Sequence, residues 1–147
     1  MLISDVLREK DRHDVVKVRT SDTVADTVRK LAENRIGAVV VEDRWLKLAG
    51  IFSERDFLNA VGQRGASVLQ SEVQDLMSSR VITCRPDERI DAVLARMTVA
   101  RIRHVPVVDD HGGLLGIVSI GDLVKHRLDE KELEANVLLE IARMRAA

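Results

Sequence analysis

Leu48-Ala49-Gly50-Ile51-Phe52-Ser53-Glu54-Arg55-Asp56 and Leu114-Leu115-Gly116-Ile117-Val118-Ser119-Ile120-Gly121-Asp122 share Leu, Gly, Ile, Ser and Asp at identical spacing, 66 residues apart. Two amphipathic segments alike by chance would agree in apolar class, but not also in a glycine, a serine and an aspartate. The same displacement lays Val15-Val16 on Val81-Ile82 and Arg35-Ile36 on Arg101-Ile102. It also lays Val39, Val41 and Asp43 on Val105, Val107 and Asp109. The chain is an internal duplication, and its fold follows from one unit read twice.

Each copy opens on a short β-branched run, Val15 to Val18 or Val81 to Thr83. A polar turn follows, with Thr20 or Ser21, and Asp87, as expected helix caps. Val24, Val28 and Leu31, and Ile90, Val93, Leu94 and Met97, then recur at helical spacing. A buried strand comes next, Ala38 to Val41 or His104 to Val108, with Pro106 expected at a sheet edge or near the strand start because it has no N–H for a ladder. A hairpin leads into Leu48 to Phe52 or Leu114 to Val118, and a last helix starts near Ser53 or Ser119. The unit is β-α-β-β-α. At roughly 50 residues it buries too little surface to stand alone, so two copies pair their sheets back to back. The expected fold class is mixed α/β (α+β).

The organisation expected is an N-terminal helical segment (1–12), repeat 1 (13–62), a connector (63–80), repeat 2 (81–128) and a C-terminal amphipathic helix (129–147). Val73, Leu76 and Met77 predict a helix in the connector, and Leu133, Val137, Leu138, Ile141 and Met144 an apolar stripe at the C-terminus. That stripe is free to face solvent or a second subunit.

Composition sets the outer limits. The 147 residues are 46% hydrophobic and 32% charged, which excludes a disordered chain. No apolar run approaches the roughly 18 residues of a membrane span. A net charge of −1 without a basic block lacks the footprint of a nucleic-acid binder. Trp45, Phe52 and Phe57 are too few for base-stacking platforms. Cys84 has no partner for an internal disulfide, and the early acidic residue Asp5 disfavours a signal peptide, so the cytoplasm is expected. His13, His111 and His126 are expected at the surface, and Met77, Met97 and Met144 in packing.

Gly50-Ile51-Phe52-Ser53-Glu54-Arg55-Asp56 and Gly116-Ile117-Val118-Ser119-Ile120-Gly121-Asp122 resemble the Gly-Ile-x-Ser-x-x-Asp signature of the cystathionine β-synthase (CBS) domain family. Ile36 to Val41 and Ile102 to Val107 are similar to its second-strand motif. The resemblance spans about residues 13–128 and implies a tandem pair, or Bateman module, packed sheet to sheet about a pseudo-two-fold axis. It further implies two clefts that sense AMP, ADP or ATP, in some members NAD or S-adenosylmethionine, and a flat homodimer.

By that resemblance one cleft combines Ser53, Arg55 and Asp56 with Ile82, Thr83, Arg103, His104 and Val105. The other combines Ser119, Ile120 and Asp122 with Val16, Val18, Ile36, Gly37 and Ala38. The chemistry suits the residues. An aspartate opening a helix accepts from both ribose hydroxyls, and first-turn N–H groups face phosphate oxygens. Valine-rich strands offer adenine an apolar slot. Arg55, Arg103 and His104 gather near Asp56, whereas the matching Gly121, Gly37 and Ala38 are small and uncharged. The Asp56 cleft is therefore expected to prefer a phosphorylated ligand. Lys17 and Arg35 oppose this asymmetry if they point into the second cleft.

Other readings stay open. Asp56 and Asp122 also serve simply as first-turn carboxylates favoured by the helix dipole. The leading function is a regulatory nucleotide sensor that signals to an unknown effector protein. The alternative is a ligand-free scaffold of the same fold that dimerises. A catalytic role lacks a triad, phosphate loop, zinc pair or dinucleotide fingerprint, so neither a catalytic residue nor a metal site is expected.

Overall fold

The computed structural model describes residues 1–10 and 15–146, so His13 and the expected 12/13 boundary lie outside the described residues. Helix α1 (Ile3–Glu9) leads into repeat 1: β1 (Lys17–Arg19), α2 (Val24–Asn34), β2 (Ala38–Glu42), β3 (Leu48–Ser53) and α3 (Glu54–Arg64). Repeat 2 comprises α4 (Ile90–Ala100), β4 (His104–Val108), β5 (Leu114–Ser119) and α5 (Ile120–Ala146). Strand β1 runs parallel to β2, and β2 antiparallel to β3 with Val40 opposite Ile51. Strands β4 and β5 repeat that register, Pro106 opposite Ile117. Even the irregularities recur. A bulge falls at Val41/Glu42 and again at Val107/Val108. Helices α2 and α4 end on left-handed Arg35 (φ 52°) and Arg101 (φ 56°).

The opening strand of repeat 2 departs from expectation, and one residue explains it. In repeat 1 the Val40 N–H donates to the Val16 carbonyl at 3.3 Å. Its counterpart is Pro106, which has no N–H to give. Residues 81–83 are consequently not a strand, and only the Cys84–Val107 bridge remains. There Cys84 donates to the Pro106 carbonyl (3.0 Å) and Val108 to the Cys84 carbonyl (2.9 Å).

Each repeat has its own core. Val18, Val24, Val39, Val41 and Phe52 pack in the first; Ile90, Val93, Met97, Val105, Val107 and Leu123 pack in the second. On the opposite face of β2, Ala38 and Val40 are buried too, and in β4 so is Pro106. That second buried face is where the repeats meet.

The short helix expected in the connector is of the 3-10 kind, not α. The connector makes two short 3-10 turns, Gly65–Gln70 and Val73–Asp75. Glu72 is bridged to Thr23 and Ser78 to Ile51, so the chain is held extended at both points with too few residues between them for an α-helix. Val73, Leu76 and Met77 still pack on the core of repeat 1. Helix α1 does the same for repeat 2, through Ile3, Val6 and Leu7.

These two flanking segments are equivalent, at a displacement of 70 rather than 66. Val73 N–H donates to Asp22 and Val24 N–H to Ser71; correspondingly, Ile3 donates to Glu88 and Ile90 to Met1. The α2 N-terminus is capped by Thr23, which accepts from Asp26 N–H at 3.1 Å, not by Thr20 or Ser21. The cap of α4 is Arg89, without a side-chain bond, in place of Asp87.

The closing helix of repeat 2 and the C-terminal helix are continuous in α5. Leu133, Val137, Leu138, Ile141 and Met144 along it are exposed, so Met144 is not in packing. His126, expected at the surface, is buried, its Nδ1 3.3 Å from Met1 Sδ and its Nε2 3.4 Å from Glu9 Oε2. No described helix is long and apolar enough to cross a membrane.

Two outcomes test this packing. A Cβ at Gly50 would lie 2.5 Å from Met77 Sδ and 2.8 Å from the Ser78 carbonyl oxygen, whereas one at Gly62 would meet nothing. Gly50→Ala is expected to destabilise by about 1–3 kcal/mol in urea titration, and Gly62→Ala to be neutral or stabilising by up to about 1 kcal/mol. Burial, with a smaller push from Glu88, raises the Cys84 thiol to about 12. Folded protein should therefore resist a disulfide-exchange reagent at about pH 8, a thiol's ordinary titration range, and react fully once unfolded; rapid reaction of the folded chain would contradict the packing.

Candidate functional site

Ser53 closes β3 and caps α3; Ser119 closes β5 and stands at the start of α5. Each serine is paired three residues on with an aspartate. Ser53 N–H donates to Asp56 Oδ2 (2.9 Å), and Asp56 N–H donates back to Ser53 Oγ (3.2 Å). Ser119 and Asp122 repeat the box at 2.9 and 3.1 Å. Thus the capping role weighed for both aspartates is real. In each, the hydrogen bonds among the described residues fall on Oδ2 and none on Oδ1. Capping and ligand binding are compatible uses of one carboxylate.

The two boxes open onto two clefts where the repeats meet. One, of about 480 Å³, holds Ser53, Arg55, Asp56, Ile82, Arg103 and His104 from the expected set. Thr83 and Val105 do not line it. Thr83 gives its carbonyl to Arg96 (3.0 Å), and the alternation of β4 turns Val105 into the core while His104 faces out. Ile120 also lines this cleft, not the Asp122 cleft to which it was assigned. Two residues along a helix rotate the side chain by about 200°, so Ile120 and Asp122 look into opposite clefts.

The other cleft, of about 450 Å³, brings together Val16, Ile36, Gly37, Ala38, Ser119 and Asp122 as expected. Val18 is absent from it, buried one strand step deeper in the core of repeat 1. Gly37, His104 and Ser119 line both clefts and form the wall between them. A Cβ on Gly37 would lie 3.1 Å from the His104 ring, so glycine permits the close approach there. Burial, reinforced by Lys10 and only partly opposed by Asp122 and Glu54, holds the His104 imidazole below its ordinary value. The dividing wall is therefore neutral at neutral pH.

The electrostatics differ between the clefts. Around Asp56 stand Arg55, Arg80, Arg101 and Arg103. All four are exposed, and among the described residues none is paired with a carboxylate. Arg80 and Arg101 escaped the sequence reading; Arg101 was legible as the C-cap that precedes β4.

The Asp122 cleft has Arg35 and, unforeseen, Lys10. Lys10 Nζ donates to Asp122 Oδ2 (2.9 Å) and to the Ile117 carbonyl (2.8 Å). Burial raises the Asp122 carboxyl, but Lys10 and the Ser119 N–H outweigh it and leave the group below its usual range. Lys17 pairs instead with Glu42 at 3.1 Å. Among the described residues, no group of three or more His, Cys, Asp or Glu is placed to hold a metal ion.

Comparison with known proteins fits this geometry. The CBS domain family matches residues 3–63 and 73–129. The chain is 35% identical over 147 residues to the mitochondrial CBS domain-containing protein CBSX3 of Arabidopsis thaliana, covering 92% of this chain and 71% of that one. A CBS-domain containing protein from Agrobacterium tumefaciens superposes with a TM-score of 0.81 at 40% identity, covering 86% and 92% of the two chains. A CBS domain protein from Pyrobaculum aerophilum, solved in complex with AMP, superposes with a TM-score of 0.78 at 30% identity, over 92% and 99%. Two matched copies in one chain, facing each other across shared clefts, make this protein a tandem pair of the CBS domain family.

Proposed function

We propose that this chain is a regulatory module whose Asp56 cleft binds a phosphorylated adenosine ligand, AMP or ATP, with NAD as a larger candidate. The observation that carries the reading is a helix-opening carboxylate, its Oδ1 free of hydrogen bonds among the described residues, beside four arginines that have no carboxylate partner among those residues. A carboxylate selects the ribose diol, and unpaired guanidinium groups select phosphate. The AMP complex of the Pyrobaculum relative supports the ligand class. The cleft volume of about 480 Å³ suits a nucleotide.

The mechanism is binding without catalysis. The ligand touches α3 of repeat 1 and the β4 start of repeat 2, so it favours one relative orientation of the two. Only a difference in affinity between orientations shifts their populations, and an effector protein must read the result. The exposed stripe from Leu133 to Met144 on α5 supports association as a homodimer. A buried thiol without a disulfide suits the cytoplasm.

Isothermal titration with AMP, ATP, NAD and adenosine tests the proposal. At least one nucleotide should bind, and Asp56→Ala should abolish that binding in a protein whose circular dichroism is unchanged. Arg55→Ala or Arg103→Ala should weaken the nucleotide roughly 10-fold or more, the worth of a charge-assisted hydrogen bond, while sparing adenosine. Silence from every ligand would leave the dimerising scaffold as the better account.

A further inference from the structure

The equivalence of the two flanking segments places Lys10 and Arg80 at matching positions, the displacement being 70 as for Ile3 and Val73 or Leu7 and Met77. The match is physical. Leu7 Cδ2 lies 2.7 Å from where a Cβ would sit on Gly116, as Met77 Sδ lies 2.5 Å from that of Gly50. Each cleft thus receives one cation from the segment packed on the repeat that carries its aspartate. Their engagements differ. Arg80 is exposed at the Asp56 cleft, whereas Lys10 is half-buried and bound to the carboxylate itself.

Asp122 Oδ2 already accepts from Ser119 N–H (2.9 Å) and Lys10 Nζ (2.9 Å), so both of its lone pairs are committed. A ribose diol held bidentately sets one hydroxyl on each carboxylate oxygen, on Oδ2 as well as on the open Oδ1. One of its hydroxyls therefore competes with Lys10. The serine N–H cannot leave, because it is backbone at the end of β5, but the ammonium rides on a flexible four-carbon stem. Once displaced, it retains, among the described residues, the Ile117 carbonyl alone, and a partly buried cation without a counter-charge is unfavourable. A neutral nucleoside supplies no replacement. A phosphate does.

We infer that Lys10 determines specificity in the Asp122 cleft: it guards the ribose carboxylate against neutral nucleosides and transfers to the phosphate of an anionic one. The inference rests on reading the Asp122 cleft as an adenosine site. It also changes the expected asymmetry, since both clefts then demand an anionic ligand, one by standing arginines and the other by exchange of an ion pair.

The test uses full-length protein carrying Asp56→Asn, so that the Asp122 cleft is read alone, titrated calorimetrically with adenosine and AMP at about pH 7.5. Lys10→Met should raise adenosine affinity about tenfold and leave AMP unimproved or weaker, so that the AMP-to-adenosine preference collapses. Lys10→Arg should preserve the preference, and Asp122→Asn in the same background should abolish binding of both. Equal shifts for the two ligands, or no shift for either, would overturn the role of Lys10 while leaving the adenosine site standing. Absence of binding by both ligands with and without Lys10, in folded protein, would instead remove the site on which the inference depends.

Discussion

Strand β2 is buried on both faces, and the rest of the molecule is arranged around that constraint. Val39 and Val41 fill the core of repeat 1, while Ala38 and Val40 are covered from the other side. A strand of this kind cannot be completed by its own repeat, because one β-α-β-β-α unit has helices for only one face of its sheet. The second copy supplies the missing cover. Once the sheets meet, the strand ends that carry Ser53 and Ser119 are brought to the same junction, and their capping boxes open on the clefts there. Site formation is thus a consequence of core formation. Loss of the contact between sheets would expose Val40 and dismantle both clefts together.

The duplication and the order of elements were legible because they rest on identity at constant spacing, whereas the pairing of each serine-aspartate box with strands of the other repeat came only from the resemblance to the CBS domain family. What escaped was whatever broke that spacing or depended on direction. Lys10 was missed because its segment repeats at 70 rather than 66, so a single gapless displacement does not align it with Arg80. Val105, Val18 and Ile120 were placed in clefts by motif position, although strand alternation and helical rotation send their side chains elsewhere. Pro106 did announce the loss of a ladder bond, but its consequence, the loss of a strand at residues 81–83, required the partner Val16 of the other repeat as a template. His126 depended on a tertiary event, the return of the N-terminus over α5, which local sequence does not encode.

The departures from symmetry sit where chemistry is decided. Backbone features agree between copies down to the bulges and left-handed caps, since these are needed to build the unit at all. Several side chains facing the clefts do not agree, although the serine-aspartate boxes do. Gly37 is matched by Arg103, Ala38 by His104, and Arg55 by Gly121. Arg103, Arg55 and Gly121 lie outside both packed clusters, so charge differs at these positions without disturbing a core. A duplicated fold can in this way keep one architecture and hold two different sites.

Those two sites are not insulated from each other. Gly37, His104 and Ser119 belong to both, and the separating layer at the Gly37 approach to the His104 ring is one side chain thick. A group that moves His104 from one side alters the lining of the other. The imidazole is kept neutral by burial and by Lys10, so the layer transmits displacement and hydrogen bonding rather than a fixed charge. Any coupling that results is reciprocal: if occupancy of the Asp56 cleft changes affinity at the Asp122 cleft, the reverse holds by the same factor. Because Lys10 touches Asp122 and also biases His104, displacement of that ammonium reaches both the carboxylate it guards and the wall behind it. The ion pair lies at the junction of the two sites.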